Sequence, residues 1–262
     1  MTTFAGQMCV PCDGLDALRA ELSLAEIMRL IERTARWVSR DTFERLPVWY
    51  PEHTRRGLFY KSNWSEPQHN TNRQTGATVH KHEGNNYASK ALTHALGLRS
   101  RQRPNWSCCH IWGVDDATFG SSNVIVQDAR FYSCVANMVL LPTPLKAFTD
   151  VMPEVKWMLR ACAFHTYGWR CDHEILGAAD LTVWTADPAY PISWPTGPAQ
   201  APPPGTVPMT AAIARDADRR LAAIQADLEN AGPFYPREEV AAALTYWRLP
   251  AASPAPHIEA SR

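Results

Sequence analysis

The sequence predicts an α+β fold, in which a mainly helical chain surrounds a small strand–strand–helix unit and ends in a helical hairpin. Three observations support this prediction. Apolar residues recur at three- and four-residue spacing near both ends of the chain, as in amphipathic helices. Residues 105–141 contain short β-rich apolar runs. Eight prolines fall within residues 188–208, and this density predicts an extended spacer before the last two helices.

The first predicted element is a helix over residues 13–40. Ser23 and Glu26 have the spacing of a capping box, in which hydroxyl and carboxylate each satisfy a free backbone donor at a helix start. An apolar stripe follows at helical spacing. Arginines at the same spacing share another face and predict a basic ridge: Arg29, Arg33, Arg36 and Arg40.

The next part of the chain alternates between irregular structure and one helix. Residues 46–84 are punctuated by proline, glycine and asparagine, and residues 68–76 are expected to form an exposed polar loop. A helix is expected to start at Asn85 or Asn86. Gly97 suits the left-handed position that closes such a helix. We therefore assign residues 1–104 to a basic, helical N-terminal region.

The predicted core comprises residues 105–186. We expect three strands followed by two helices, the second with Pro153 in its first turn and Gly168 near its end. The expected strands cover residues 106–112, 124–126 and 137–141, and the expected helices cover residues 143–150 and 153–168.

The predicted C-terminal part begins with a proline-rich linker, residues 187–209. Residues 210–262 are assigned to a helical hairpin and tail, with helices near 210–230 and 236–249. Trp184, Trp194 and Trp247 are interpreted as packing residues that fix the spacer to the core. An apolar stripe on the first hairpin helix predicts a surface for a homodimer or a partner protein.

Composition and charge exclude several classes of protein. The 262 residues carry 26 basic and 26 acidic side chains, and 45% are hydrophobic, which argues against wholesale disorder. No apolar run approaches the roughly 20 residues that cross a bilayer, and the N-terminal residues lack the pattern of a secretory signal. We therefore expect a cytoplasmic protein without a membrane partner. Its seven cysteines are then expected to be thiols or metal ligands.

The neutral total conceals a local excess of positive charge. Residues 29–103 contain 14 Lys/Arg against 6 Asp/Glu, mostly arginine and interleaved with aromatic residues. Such a surface is one footprint of nucleic-acid binding, because guanidinium groups pair with phosphates and rings stack on bases. The other interpretation, a solvated helix surface balanced by acids elsewhere in the fold, fits the composition equally well.

The most informative pattern is His110 at the end of one predicted strand and Asn137 just before another, with a predicted helix next. This arrangement resembles the HNH, or ββα-metal, endonuclease superfamily, over roughly residues 100–170. The resemblance implies a ββα-metal finger that hydrolyses phosphodiester bonds in DNA, although RNA remains open. It implies His110 as the general base and Asn137 as the residue that holds the loop and the imidazole. A histidine suits this task because its ordinary pKa lies near neutral pH.

In that family, a single divalent metal, magnesium or manganese, is held by the residue before the histidine and by one on the helix. This chain has Cys109 and Lys146 at those positions. A thiol is too soft for magnesium, and a protonated amine has no lone pair. Asp128 is the first substitute ligand that we consider and Asp150 the second. Two further aspartates stand nearby, Asp115 and Asp116. Phosphate contacts are expected from Arg99, Arg101, Arg103, Arg130 and Lys146.

Two further groups of residues have metal-ligating types. Cys9 and Cys12 have the spacing of half a zinc knuckle, so a structural zinc is one reading and separate thiols the other. The second half of such a site would come from Cys108, Cys109, Cys134, Cys162, Cys171 or His173, although Cys162 is expected in the core. His80 and His82 are read as part of a solvated loop in preference to a metal site.

The sequence therefore leaves three hypotheses. The first is a metal-dependent endonuclease with His110 as its base. The second is a catalytically inactive nucleic-acid-binding protein that keeps the same fold, as Cys109 and Lys146 allow. The third is an assembly component that docks through its C-terminal helices.

Overall fold

The computed structural model describes residues 13–113, 123–177 and 180–251, and it is an α+β structure. Its helices are formed mainly by segments with an apolar face directed to one core. In the described residues the α-helices are α1 (Gly14–Glu21), α2 (Leu24–Thr34), α3 (Arg40–Arg45), α4 (Asn86–Ala95), α5 (Thr143–Val151), α6 (Pro153–Tyr167), α7 (Thr182–Thr185), α8 (Ala211–Asn230) and α9 (Arg237–Tyr246).

The strands of the described residues form small two-stranded sheets. These strands are β1 (Trp37–Val38), β2 (His69–Thr71), β3 (Thr78–His80), β4 (Trp106–His110), β5 (Met138–Pro142) and β6 (Thr206–Val207). The pairs β2–β3 and β4–β5 are antiparallel, whereas β1 and β6 are parallel. The sheet β4–β5 lies in the core, and α5 follows β5 directly.

The N-terminal segment is helical, but the single helix expected over residues 13–40 is wrong. Helix α1 ends at Glu21, with Leu22 as its C-cap, and α2 begins at Leu24. The predicted capping box of Ser23 and Glu26 at the start of α2 is confirmed. After α2, Arg36 leaves the predicted ridge: its guanidinium donates to the carbonyl oxygen of Ala35 over 3.0 Å and lies over the Trp106 ring. The basic face of α2 is therefore shorter than the spacing predicts.

The predicted strands 106–112 and 137–141 are confirmed as β4 and β5, with ends shifted by one or two residues. The predicted strand 124–126 is wrong, because Val124–Gln127 is a 3-10 helix. Short apolar runs fit a buried turn of helix as well as a strand. The predicted glycine ends are confirmed at Gly97 (φ 63°) and Gly168 (φ 66°).

The segment expected to be a polar loop, residues 68–76, instead contributes to the hairpin β2–β3. Its register pairs His69 with His80 and Thr71 with Thr78, and both strands are exposed. The expected exposure is therefore correct, but the segment has regular backbone pairing. In the described parts of the chain, no helix is both long and apolar enough to cross a bilayer.

The proline-rich segment packs against the core, where the sequence predicts an extended spacer. Tyr190 and Trp194 are buried in the main hydrophobic cluster, and Trp194 packs edge-on against Trp37. Near the end of the segment, Gly205 accepts a hydrogen bond from the Trp37 backbone over 3.1 Å, and Thr206 pairs with Trp37 in the β1–β6 sheet. This segment is thus fixed at both ends of its path.

The apolar stripe of α8 is covered within the same chain. Ile213, Ala217 and Ile224 are each 2% exposed or less. Ala217 belongs to the main core, whereas Ile224 forms a smaller cluster with Val240 and Leu244 of α9. Packing inside the chain therefore accounts for the buried part of the stripe, whereas Ala211 and Ala212 are exposed and docking on a partner stays a prediction.

Candidate functional site

The β4–β5 ladder determines where His110 and Cys109 lie. Its register places His110 opposite Met138 and Cys109 opposite Val139. Because successive side chains of a strand point to opposite faces, these two neighbours are on different sides of the sheet. The Cys109 thiol lies beside Thr149 of α5. His110 therefore faces away from the side of the sheet that carries this thiol.

The imidazole of His110 is held neutral, with one nitrogen left as an acceptor. Its Nε2 lies 2.8 Å from the backbone carbonyl oxygen of Tyr132, and because a carbonyl can only accept, Nε2 carries the hydrogen. Nδ1 keeps its lone pair, and the hydrogen bonds of the described residues include none to this atom. Burial lowers the pKa of His110 to about 4, against the effect of the Tyr132 carbonyl. His110 is therefore unprotonated near pH 7.

Tyr132 supports His110 through its ring as well as its carbonyl. The two rings lie nearly parallel, 27° apart, with centroids separated by 5.9 Å. The Tyr132 hydroxyl donates to the Gly84 carbonyl over 2.7 Å, and burial raises the pKa of Tyr132, so the hydroxyl stays protonated. Nothing in the spacing of the sequence indicated this residue, because it lies 22 positions from His110 in an irregular segment.

Asn137 fixes the backbone that follows His110 and the backbone that precedes Tyr132. Its side chain makes no contact with the imidazole among the described interactions. Its Oδ1 accepts from the Trp112 N–H over 2.8 Å, and its Nδ2 donates to the Phe131 carbonyl over 2.9 Å. Its own backbone carbonyl accepts from the Ile111 N–H over 2.8 Å. The fully buried carboxamide thus joins the segment that leaves β4 to the segment that carries Tyr132.

Three basic side chains act on His110 through their charges. Arg55, Lys156 and Lys146 all disfavour protonation of the imidazole through their charges. Lys156 is 7% exposed, and burial lowers its pKa to about 7, with a further contribution from the charge of Arg160. A field of this sign attracts an anionic group to His110 and opposes the approach of a cation.

Arg160 is a further residue that the sequence did not indicate. Its Nε donates to the Ile111 carbonyl over 2.9 Å and its Nη2 to the Gly113 carbonyl over 3.1 Å, so it holds the backbone that follows His110. Lys156 and Arg160 are four residues apart on α6 and line a cavity of about 330 Å³ beside Gly113 and Asp150. Their helical spacing was the available signal, but it fits an exposed face equally well.

Among the described residues, the predicted metal ligands Cys109, Asp128 and Asp150 form no group of three. Both carboxylate oxygens of Asp128 are bound by Arg130, and Asp150 pairs with Lys146. Burial raises the pKa of the Cys109 thiol to about 12. Among the described residues no group of three or more His, Cys, Asp and Glu side chains could hold a metal, so these residues alone do not fit a divalent ion. Asp115 and Asp116 lie outside the described residues, and the metal stays a prediction.

The predicted phosphate-binding residues fall into two sets. Arg99 and Arg101 are exposed. The others make contacts within the chain: Arg103 donates to the Ser89 carbonyl over 3.2 Å, and Arg130 and Lys146 form the ion pairs described above.

The other candidate metal ligands, which are cysteines and histidines, also form no cluster among the described residues. Cys9 and Cys12 lie outside the described residues. The remaining cysteines are buried free thiols: Cys108, Cys109, Cys134, Cys162 and Cys171. His173 accepts from the Ile175 N–H over 3.3 Å at the start of a short 3-10 helix. His80 packs near His69, with ring centroids 4.9 Å apart, on the exposed hairpin.

Comparison of the chain with protein-family models, curated proteins and solved structures finds no match in any of the three.

Proposed function

We propose that this chain is an HNH-like endonuclease that hydrolyses phosphodiester bonds in DNA, with His110 as the general base. The observation that carries the proposal is the state of His110: a neutral imidazole with an unprotonated Nδ1, whose pKa is lowered further by the charges of three basic side chains. The order β4, β5 and α5, with Asn137 directly before β5, is consistent with a ββα finger. Support therefore comes from local geometry and charge.

The proposed reaction needs little from the protein beyond a base and positive charge. Nδ1 of His110 accepts a proton from water, and the water oxygen forms a bond to phosphorus as the bond to the leaving ester oxygen breaks. A proton from solvent then neutralises the leaving oxygen. Arg55, and Lys156 while it is protonated, would stabilise the negative charge that grows on the phosphoryl oxygens, which is commonly the largest contribution to such catalysis.

Magnesium or manganese would supply further stabilisation of the leaving oxygen, as the family resemblance implies. Because the described residues do not fit such an ion, the proposed reaction uses only His110, water and basic side chains. A structural zinc likewise remains a separate proposal that depends on Cys9 and Cys12.

A second candidate is a DNA-binding protein that has lost catalysis. The ion pairs Asp128–Arg130 and Lys146–Asp150 favour it, because they neutralise the oxygen ligands that a catalytic metal would need. Such a protein would bind DNA without cutting it, and a chelator would leave the binding unchanged.

Nicking of supercoiled plasmid tests the first candidate against the second. The wild-type chain, His110→Ala and the matched control His69→Ala are incubated with magnesium, with manganese and with a chelator. We expect nicking by the wild type and by His69→Ala, because His69 lies on the exposed hairpin, and a loss of at least about 100-fold in His110→Ala. Equal nicking by wild type and His110→Ala would contradict the assigned base, and binding without nicking would favour the second candidate.

A further inference from the structure

A second cavity, separate in its residues from the group around His110, contains two buried carboxylates. Its volume is about 210 Å³. Glu52 and Glu83 line it from the inside, and Glu239 is exposed among its lining residues. Aromatic residues complete its walls: Tyr60, Trp64 and Phe234. Glu83 and the Phe234 region are about 150 residues apart in sequence, so only the fold brings them together.

The two inner carboxylates each have one oxygen without a partner. The side chains of Glu52 and Glu83 are 5% and 1% exposed. Oε1 of Glu83 bonds to Nδ1 of His53, and Oε1 of Glu52 bonds to Arg220. In each residue Oε2 is buried and makes no hydrogen bond within the described chain. A buried oxygen of this kind is costly unless a ligand or water satisfies it.

The charges of the cluster do not cancel. Arg220 compensates Glu52 and also donates to the Trp49 carbonyl over 2.6 Å. His53 does not compensate Glu83, because burial, followed by the charges of Arg220 and Lys90, lowers the pKa of His53 to about 2. Among the ion pairs of the described residues, the partner of Glu83 is His53. When both carboxylates are ionised, the cluster therefore carries one excess negative charge.

The aromatic walls of the cavity suit an organic cation, because the rings can contact both its hydrocarbon part and its charged group. Trp64 is packed from three sides, with ring centroids 4.9 Å from Tyr60, 5.1 Å from His53 and 5.2 Å from Tyr235. Phe234, 44% exposed, stacks on Tyr60 at 5.8 Å. Faces of tryptophan and tyrosine attract ammonium and guanidinium groups, and more strongly where water is excluded.

We propose that this cavity binds a small organic cation, a primary ammonium or a guanidinium group, between the Oε2 atoms of Glu52 and Glu83 and the aromatic walls. One positive charge matches the excess charge of the cluster, and the N–H donors match the two unpartnered oxygens. A cavity of about 210 Å³ fits an alkylammonium of a few carbon atoms. The site is independent of the reaction proposed at His110.

The affinity of the site depends on pH through Glu83. Burial raises the pKa of Glu83 to about 8, the backbone N–H of Thr54 opposes this shift, and the charge of Glu52 adds to it. The other charged or titratable groups that face the cluster are His53, Tyr87, Lys90, Arg220 and Glu239. Below pH 8 a cation must displace the proton of Glu83, so binding strengthens as pH rises from 6 to 8 and releases up to one proton.

Calorimetric titration of the full chain with n-butylammonium and with methylguanidinium tests the proposal. Neutral n-butanol and anionic butyrate serve as probes of similar size and other charge. Wild type, Glu83→Gln and the matched control Glu229→Gln, on the exposed surface of α8, are compared at pH 6 and pH 8. Circular dichroism establishes that each variant is folded, and the probe series on the wild type does not depend on any variant.

We expect saturable binding of one of the two cations by wild type and by Glu229→Gln at pH 8. The affinity should be at least about tenfold weaker in Glu83→Gln at pH 8, and also at least about tenfold weaker in wild type at pH 6. Quenching of Trp64 fluorescence, absent in Trp64→Leu, should accompany it. Three results would each overturn the proposal: no binding of either cation, equal binding of n-butanol, or binding that Glu83→Gln and Glu229→Gln share.

Discussion

The side chain of Asn137 accepts a hydrogen bond from the backbone N–H of Trp112, 25 positions earlier, over 2.8 Å. The same side chain donates to the Phe131 carbonyl, so Asn137 joins two parts of the long segment between β4 and β5. Replacement by alanine leaves a buried donor and a buried acceptor unsatisfied, each worth about 1–3 kcal/mol. We expect Asn137→Ala to lose about 2–5 kcal/mol of unfolding free energy in urea titrations.

The matched control for that change is Asn72→Ala. Asn72 also accepts two backbone hydrogen bonds, from Gln74 and Thr75, but it lies in an exposed turn where water replaces it. A loss below about 1 kcal/mol is expected there. Similar losses for both variants would show that the buried carboxamide has no special importance.

The titration of His110 should reflect its environment. Its pKa in the folded chain, about 4, is below the ordinary value of about 6.5. Between those values the unfolded chain binds more protons, so the contribution of a neutral His110 to stability is complete above pH 6.5 and declines as pH falls toward 4. Resonances of the ring followed by NMR should therefore titrate near pH 4.

The glutamine variant provides the control for this titration. His110→Gln lacks the ionisable group, so the difference in unfolding free energy between wild type and variant should shrink from pH 7 to pH 4, by at most about 1.4 kcal/mol per pH unit. A difference that stays constant over this range would contradict the depressed pKa.

Arg220 should be essential to the stability of the Glu52 cluster. Arg220→Met leaves Glu52 buried and uncompensated, and breaking a buried pair from one side costs about 3–5 kcal/mol. The neighbouring Arg219→Met removes only an exposed ion pair with Asp216, worth about 0.2–1 kcal/mol. The double variant Glu52→Gln/Arg220→Met should regain part of the loss in the same thermal or urea unfolding assay.

Gly205 should tolerate no side chain. Its φ is 79°, and a Cβ there would overlap the backbone carbonyl oxygen of Ala35, against which the segment packs. Backbone strain alone costs about 1–3 kcal/mol, so Gly205→Ala should lower the melting temperature markedly. Gly197→Ala, in the same segment but with open space around it, should leave the melting temperature within a few degrees of wild type.

If DNA binds at Arg99 and Arg101, the dependence of its affinity on salt concentration should reflect the number of phosphate contacts that these arginines make. Each phosphate contact contributes about −0.9 to the slope of log K against log salt. The variant Arg99→Ala/Arg101→Ala should therefore reduce that slope by about 1.8 in fluorescence anisotropy titrations with duplex DNA. Arg215→Ala, exposed on α8, is the control, and an equal loss there would remove the predicted interface.

Local signals made much of the fold predictable. The Ser23 and Glu26 capping box, the glycines after α4 and α6, and the β-rich runs of β4 and β5 each depend on a few neighbouring residues. Other features of the fold depend on distant partners. Trp37 pairs with Thr206, 169 positions later, and no pattern within either segment indicates a parallel strand.

The candidate sites show the same limit. His110 and Asn137 were found because a known spacing links them, whereas Lys156 and Arg160 had only ordinary helical spacing. Glu83 directly follows His82, which was read as part of a solvated loop. Its role emerges when Glu52 and His53, about 30 positions earlier, are packed beside it and Arg220 is added from α8.

The parallel pairing of β1 with β6 has a consequence for a chain cut within its proline-rich segment. The two fragments would remain associated, because Gly205 and Thr206 of the second fragment contact Ala35 and Trp37 of the first, and α8 packs on α3 and α4. Separately expressed halves divided near Gly197 should accordingly reassemble when they are mixed.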